Sequence, residues 1–319
     1  MSYFLDEQLK NVKSVGINGH VRPDGDCVGS VLSVYNYIRD NYPDVEVNAY
    51  LQEIPGSLNF LKNSDKLLWE AEDKEFDLFI VLDCSEVKRL GDAERYFNAA
   101  KRTLCIDHHL SNGDFADVNR IVPDASSTCE LIYEAMDPSK VTKEIAECIY
   151  TGMVTDTGVF QYDCTKKRTM EIAGILMDKG IDYSYIVEHA FFEKTFEQNR
   201  IMGKALLKAT LHDDGRIISS FITKEEEEEI GCRPSDYDGI AEQLRNTVGV
   251  VSSIFLHETE PGEFRGSTRT SGNVNLAEVA GHFGGGGHAK AAGFNASGKP
   301  EEIIEEVIRI IKDIEKRDN

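Results

Sequence analysis

The first half of this chain alternates two patterns that few folds accommodate together. Short runs rich in Val, Ile and Leu, namely "SVGING", "VEVNAYL", "DLFIVLDC" and "RTLCIDHH", read as strands. Helical patterns lie between them. After the first run Val28, Val31, Leu32 and Tyr35 fall at i, i+3, i+4 and i+7, which is one helix face. "SSTCELIYEAM" starts a helix, with Ser127 and Glu130 at capping-box spacing. "KEIAECIYTGMVTDTG" reads as another helix, ending near a glycine. Alternation of this kind predicts an α/β fold, a mostly parallel sheet with helices on both faces.

The pattern changes near residue 190. "FFEKTFEQNRIMGKALLKATLHDDG" reads as a connecting helix that ends at a Gly turn. "RIISSFIT", "VVSSIFLHE" and "EFRGSTRT" then alternate only in part, as half-exposed strands do. Pro300 opens a last helix, "PEEIIEEVIRIIKDIEK". The expected organisation is a domain over 1–190, a connecting helix over 191–212 and a smaller α/β domain with a mixed sheet over 213–319. The acidic run Glu225 to Glu229 reads as a solvated helix face.

Composition removes several function classes. Lys and Arg total 35 against 56 Asp and Glu, a formal net charge of -21. That field repels long duplex nucleic acid but allows a small anion at a local cationic site. Seven scattered cysteines, without a C-x-x-C pair, read as free thiols in a reducing cytoplasm. The start "MSYFLDEQLK" shows no signal-peptide pattern, and no apolar run is long enough to span a membrane.

The chemistry gathers where the strands end. "HVRPDGD" follows the first strand, "LDCSE" carries Asp83, "IDHHLSN" carries Asp107, His108 and His109, and "VTDTGVF" carries Asp156. In an open α/β sheet, ligands bind beyond the carboxyl ends of the strands. His20, Asp24, Asp26, Asp83, His108 and His109 sit at or just after such ends, so they can converge, and Asp156 can join from a helix end. Singly, each has an ordinary reading as a strand-end histidine, a turn aspartate or a helix cap. Together, the carboxylates would repel one another unless a cation compensates them. Imidazole and carboxylate without thiolate suit Mn²⁺, with Mg²⁺, Co²⁺ or Fe²⁺ as competitors. Four aspartates and two histidines exceed the needs of one ion, and two ions sharing a carboxylate fit the count.

These motifs, "HVRPDGDCVGS", "LDCSE", "IDHHLSN" and "TDTG", resemble the four motifs of the DHH phosphoesterases. "RGSTRTSGNVNLAEVAGHFGGGGHAKAAGF", residues 265–294, resembles the signature of the DHH-associated C-terminal domain. The likeness is strongest to the stand-alone branch of nanoRNases and 3′-phosphoadenosine-5′-phosphate (pAp) phosphatases. It implies one ion on His20, Asp24 and Asp83, and another on Asp26, Asp83, His108 and Asp156. It implies that His109 touches the substrate phosphate or the leaving oxygen, and that Asp107 orients a histidine ring. It also implies an active site in an interdomain cleft, and it is compatible with a homodimer.

The resemblance further implies that the C-terminal domain grips a phosphate that does not react. Gly285, Gly286 and Gly287 form a backbone without side chains, able to bring N–H groups close to an anion. His288 can donate to phosphate, and Arg269 can bind it through two bonds. The expected substrates are pAp, linear dinucleotides such as pApA, and RNA of a few nucleotides, with base stacking of little sequence preference. Two other readings are a family II inorganic pyrophosphatase and a nucleotide-binding sensor without turnover. "GGGGHAKAAG" speaks against the first, and the complete set of metal positions against the second.

Overall fold

The computed structural model describes residues 3–69 and 74–317. The chain divides into two compact units, Met1–Glu193 and Lys194–Asn319. Among the described residues no helix is long and apolar enough to cross a membrane.

The first unit runs α1 (Phe4–Gln8), β1 (Ser14–Asn18), α2 (Gly25–Asn41), β2 (Glu46–Tyr50), β3 (Leu78–Leu82), α3 (Glu94–Ala99), β4 (Thr103–Asp107), β5 (Val118–Ile121), α4 (Thr128–Ala135), α5 (Lys143–Asp156), α6 (Lys167–Met177) and α7 (Tyr183–Val187). Its sheet has the order β2-β1-β3-β4-β5, and every pairing is parallel. The predicted strands and helices are present. β5 is new: its "VNRI" is half-buried throughout and has no apolar run to mark it. The order reverses between β1 and β3. From β1 the chain crosses to β2 on one side, and from β3 to β4 on the other, which opens a crevice at the carboxyl ends of these two strands.

Side-chain alternation builds the two layers. Along β3, Leu78, Ile80 and Leu82 join the large core with α2, α4 and α5, whereas Phe79 and Val81 join a smaller aromatic cluster with Phe76 and Tyr96. α2 is buried from Gly25 to Ile38. It lies very close to α5. A Cβ on Gly29 would stand 2.5 Å from the carbonyl oxygen of Cys148, and one on Gly152 would stand 2.3 Å from Cys129 Sγ and 2.7 Å from Asp26 Oδ1. Ser127 caps α4 as expected, accepting from the Glu130 N–H at 3.1 Å. The Glu130 carboxylate does not return to the cap. It accepts from Ser126 and Thr169 instead, because it is buried among these hydroxyls.

The second unit runs α8 (Phe196–Leu207), β6 (Thr210–His212), β7 (Ile217–Ile222), α9 (Lys224–Ile230), α10 (Ile240–Arg245), β8 (Ser252–Glu260), β9 (Glu263–Thr270), α11 (Leu276–Gly281), β10 (Gly286–Gly287), β11 (Ala291–Ser297) and α12 (Pro300–Arg317). Its sheet has the order β10-β11-β9-β8-β7-β6, parallel only between β7 and β8, and is therefore mixed. α11 and α12 pack on one face, through Val279, Val307 and Ile311, and α8 and α10 on the other, through Ile201, Ala205 and Leu244.

Two local expectations change. The segment read as one long helix is a π-helical turn (Glu188–Phe192), α8 and then strand β6. Thr195 caps α8, and Ile201 and Ala205 bury it in the core of the second unit. The acidic run is not wholly solvated. Glu227 is buried, where it accepts from Tyr237 Oη and Lys224 Nζ, each at 2.6 Å. A helix face toward the sheet takes every third or fourth residue whatever its charge, and here the carboxylate is satisfied locally.

Candidate metal centre and substrate face

His20 leaves the end of β1 and Asp83 the end of β3, so both stand at the point where the strand order reverses. His20 is buried. Its Nδ1 lies 3.0 Å from the Val21 carbonyl, which can only accept, so Nδ1 carries the proton. Nε2 then faces two carboxylates, Asp24 Oδ2 at 3.6 Å and Asp83 Oδ2 at 3.5 Å. Asp24 is the N-cap of α2. Its Oδ1 accepts from the Cys27 N–H, leaving Oδ2 for His20. Burial lowers the His20 pKa, but the bonds to Asp24 and Asp83 outweigh it and raise the ring to about 10.

His108 repeats the arrangement. Its Nδ1 points to the Ala125 carbonyl at 3.4 Å, and its Nε2 faces Asp156 Oδ2 at 3.3 Å, Asp83 Oδ1 at 3.7 Å and Asp26 Oδ2 at 4.0 Å. Asp83 thus gives one oxygen to each histidine. It is buried in the left-handed region, with φ 52°, a conformation Asp tolerates better than most residues. Thr128 Oγ1 steadies it at 3.1 Å.

Asp26 lies in the first turn of α2 and also meets the N-terminus of α4. Its two oxygens accept from the backbone N–H groups of Thr128 (2.7 Å) and Cys129 (3.0 Å). Burial, followed by the charge of Asp83, nevertheless pushes its pKa up to about 7. Burial and the charges of Asp26, Asp83 and Asp24 likewise hold Asp156 well above the usual carboxylate range.

His109 and Asp107 form a separate pair. His109 Nδ1 lies 2.7 Å from Asp107 Oδ1, and 3.6 Å from Asp83 Oδ1. Asp107 is wholly buried, yet its carboxyl is held below the usual range. Burial alone would raise it, but His109 and Asn112 Nδ2 (2.8 Å) donate to it, as do the N–H groups of His108 and His109.

The predicted residues of this unit therefore come together. Ligand atoms lie within 4.8 Å of one another in three groups: His20, Cys27 and Asp83; Asp83, His108 and His109; and Asp26, His108 and Asp156. Like charges that cannot all ionise unaided, facing imidazole nitrogens that can exchange a proton for a cation, are a donor set that fits hard or borderline divalent cations. Sequence reasoning missed Cys27, Thr128, Cys129 and Asn112. Burial raises the Cys27 thiol well above its usual range, so it stands beside His20 as a neutral thiol. Asn112 follows Asp107 by five residues and closes the motif "IDHHLSN", which was the one signal that could have found it.

The second unit places the remaining predicted residues on one sheet. Arg269 on β9 pairs with Ala291 of β11, and Ala291 closes a tight hairpin with His288, accepting from its N–H at 2.7 Å. This register puts Arg269 and His288 on the same face. Arg265, two residues along that face, was not foreseen. Gly286 pairs with Gly293, leaving a floor almost without side chains. Gly285 and Gly287 have a reason within the fold itself. A Cβ would stand 2.3 Å from the Gly293 carbonyl oxygen at Gly285, and 2.6 Å from that of Ala291 at Gly287, where φ is also 147°. The Arg269 guanidinium donates to the Thr268 carbonyl at 2.9 Å and has Glu242 at 3.9 Å.

Carboxylate and imidazole groups at the switch point of a parallel sheet, followed by a mixed-sheet unit with Arg265 and Arg269 along one strand, define a divalent-metal-dependent phosphoesterase, a hydrolase. Comparison with known proteins gives the family. The N-terminal domain of the DHH family matches residues 14–153 and the DHHA1 domain residues 214–316. The chain belongs to the DHH family of phosphoesterases. It is 31% identical over 282 residues to the bifunctional oligoribonuclease and PAP phosphatase NrnA of Bacillus subtilis (strain 168), covering 87% of each chain. It is 28% identical to the protein of the same name from Thermus thermophilus, covering 96% of this chain and 92% of the relative. The crystal structure of an exopolyphosphatase-related protein from Bacteroides fragilis superposes with a TM-score of 0.88 at 28% identity, over 97% of this chain and 94% of the other.

Proposed function

We propose that this protein hydrolyses short oligoribonucleotides, linear dinucleotides such as pApA, and pAp, releasing nucleoside 5′-monophosphates. The observation that carries the reading is Asp83, one oxygen turned to His20 and the other to His108. His20, Asp24 and Asp83 would hold one ion, and Asp26, Asp83, His108 and Asp156 a second. Mn²⁺ suits this donor set best. Such ions supply a water-derived nucleophile at neutral pH and neutralise phosphoryl charge. His109, held by Asp107, is the group that donates to the substrate phosphate or the leaving oxygen. Arg269, His288 and the backbone of Gly285, Gly286 and Gly287 hold a phosphate that does not react. The NrnA relatives support the choice of substrates.

Initial rates on pAp, 5′-phosphorylated dinucleotides, a 24-mer RNA and pyrophosphate, with Mn²⁺ and with Mg²⁺, test the reading. Rates should fall as RNA lengthens beyond about five nucleotides, because the acidic surface repels polyanions. Turnover of pyrophosphate without turnover of any nucleotide would refute it.

A further inference from the structure

His20 borders a second feature that neither the cation ligands nor the phosphate-holding residues use. A groove beside it is lined by Leu51, Gln52, Leu68, Trp69 and Leu90. Its outer wall is fixed by backbone bonds. Leu68 forms a parallel bridge to Tyr50, its N–H donates to Ala49 (2.9 Å), and the Leu51 N–H donates to Leu68 (3.1 Å). The segment thereby extends the sheet past β2 and holds Trp69 at the carboxyl end of the strands, where ligands bind. Leu51 and Leu90 are buried and give an apolar floor, while Trp69 stays 56% exposed and Leu68 38%. A large indole held open beside a buried polar centre is an uncommon expense for a surface. At the same rim, Gln52 Oε1 accepts from the Arg22 N–H at 2.8 Å, and its amide nitrogen has no partner among the described residues.

We infer that Trp69 stacks on a nucleobase of the substrate, with Gln52 at the base edge. This rests on the phosphoesterase reading above. The occupant follows from the shared wall: a group in this groove sits beside the His20 centre, and in a nucleotide one ribose separates phosphate from base. Indole stacking accepts every base, since each has a π-face. The groove therefore selects nucleotides over other phosphate esters without selecting sequence.

Trp69 is the single tryptophan of the chain, so its fluorescence reports the contact directly. The experiment compares wild type, Trp69→Ala and Trp69→Phe on a 5′-phosphorylated dinucleotide and on analogues abasic at either position. Trp69→Ala should lower kcat/KM on the intact dinucleotide about ten- to a hundredfold, and Trp69→Phe much less. One abasic analogue should be slow with wild type and indifferent to Trp69→Ala. The intact dinucleotide should quench wild-type emission under non-turnover conditions, and that analogue should not. Equal rates for wild type and Trp69→Ala on the intact dinucleotide would overturn the assignment while leaving the phosphoesterase reading in place. So would an equal loss on the intact dinucleotide and both abasic analogues, or a loss explained by a changed oligomeric state in size-exclusion chromatography. Wild type inactive on every nucleotide would instead refute the parent reading.

Discussion

The Asp107 carboxylate is wholly buried 2.7 Å from Nδ1 of His109. The pair fixes which nitrogen of His109 carries a proton and leaves the other edge of the ring to the site. Asp107→Asn keeps the shape but removes the negative charge that sustains a protonated ring. It should lower kcat roughly a hundred- to ten-thousandfold, the range of general acid catalysis, with metal content unchanged. Metal analysis beside steady-state rates checks both halves. Asn112→Ala, which removes a donor to the same carboxylate, should have a smaller effect in the same direction.

Asp83→Ala removes the carboxylate that faces both His20 and His108. Bound metal should drop from about two ions per chain to one or fewer. Activity should fall by roughly a hundred- to a thousandfold or more. Circular dichroism should show the fold retained, since the apolar core of the unit is built by other residues and is left intact. An active Asp83→Ala protein would contradict the shared-ligand arrangement.

Arg269→Ala should separate the two kinds of phosphate contact. Losing a charge-assisted bond costs about 1.5–3 kcal/mol. This corresponds to a drop of roughly ten- to a hundredfold in kcat/KM on pAp. The metal content should stay at the wild-type level.

Gly152→Ala tests the helix seam that positions Asp26. The added methyl would meet Cys129 Sγ at 2.3 Å and Asp26 Oδ1 at 2.7 Å, so one of them must move. Overpacking of this kind costs about 1–3 kcal/mol. Denaturant unfolding should show that loss, and metal affinity should fall with it. A surface control, Gly174→Ala, has nothing within 4 Å of its Cβ and should do neither.

His257 predicts a pH dependence located in the second unit. Burial, aided by the charge of Arg265, pushes its pKa down to about 4. The unfolded chain takes up this proton near pH 6.5 while the folded chain refuses it. The contribution to stability is therefore complete above pH 6.5 and is lost as pH falls toward 4, by at most about 3 kcal/mol. The ring stacks on Tyr237 at 4.4 Å, and its Nδ1 has no hydrogen-bond partner among the described residues, so His257→Phe keeps the packing and removes the titration. The difference in Tm between pH 7.5 and pH 4.5 should shrink in that variant.

The order of residues along the chain already determined the parallel α/β layer and which histidines and aspartates gather at its edge. Strand-like runs ending in His20, Asp83 and His108 can place those groups nowhere but at one edge of such a sheet. Only the tertiary structure decided how the cluster is used. Asp26 is held by two N–H groups of α4, from residues a hundred positions away, and that contact needs Gly152 to bring the helices together. Whether Glu227 is solvated or buried turned on what packs against it. Periodicity and residue type are local properties and survive in the sequence. Burial, the oxygen each histidine faces, and the proton each carboxylate keeps are set by distant neighbours, and they exist only once the chain has closed.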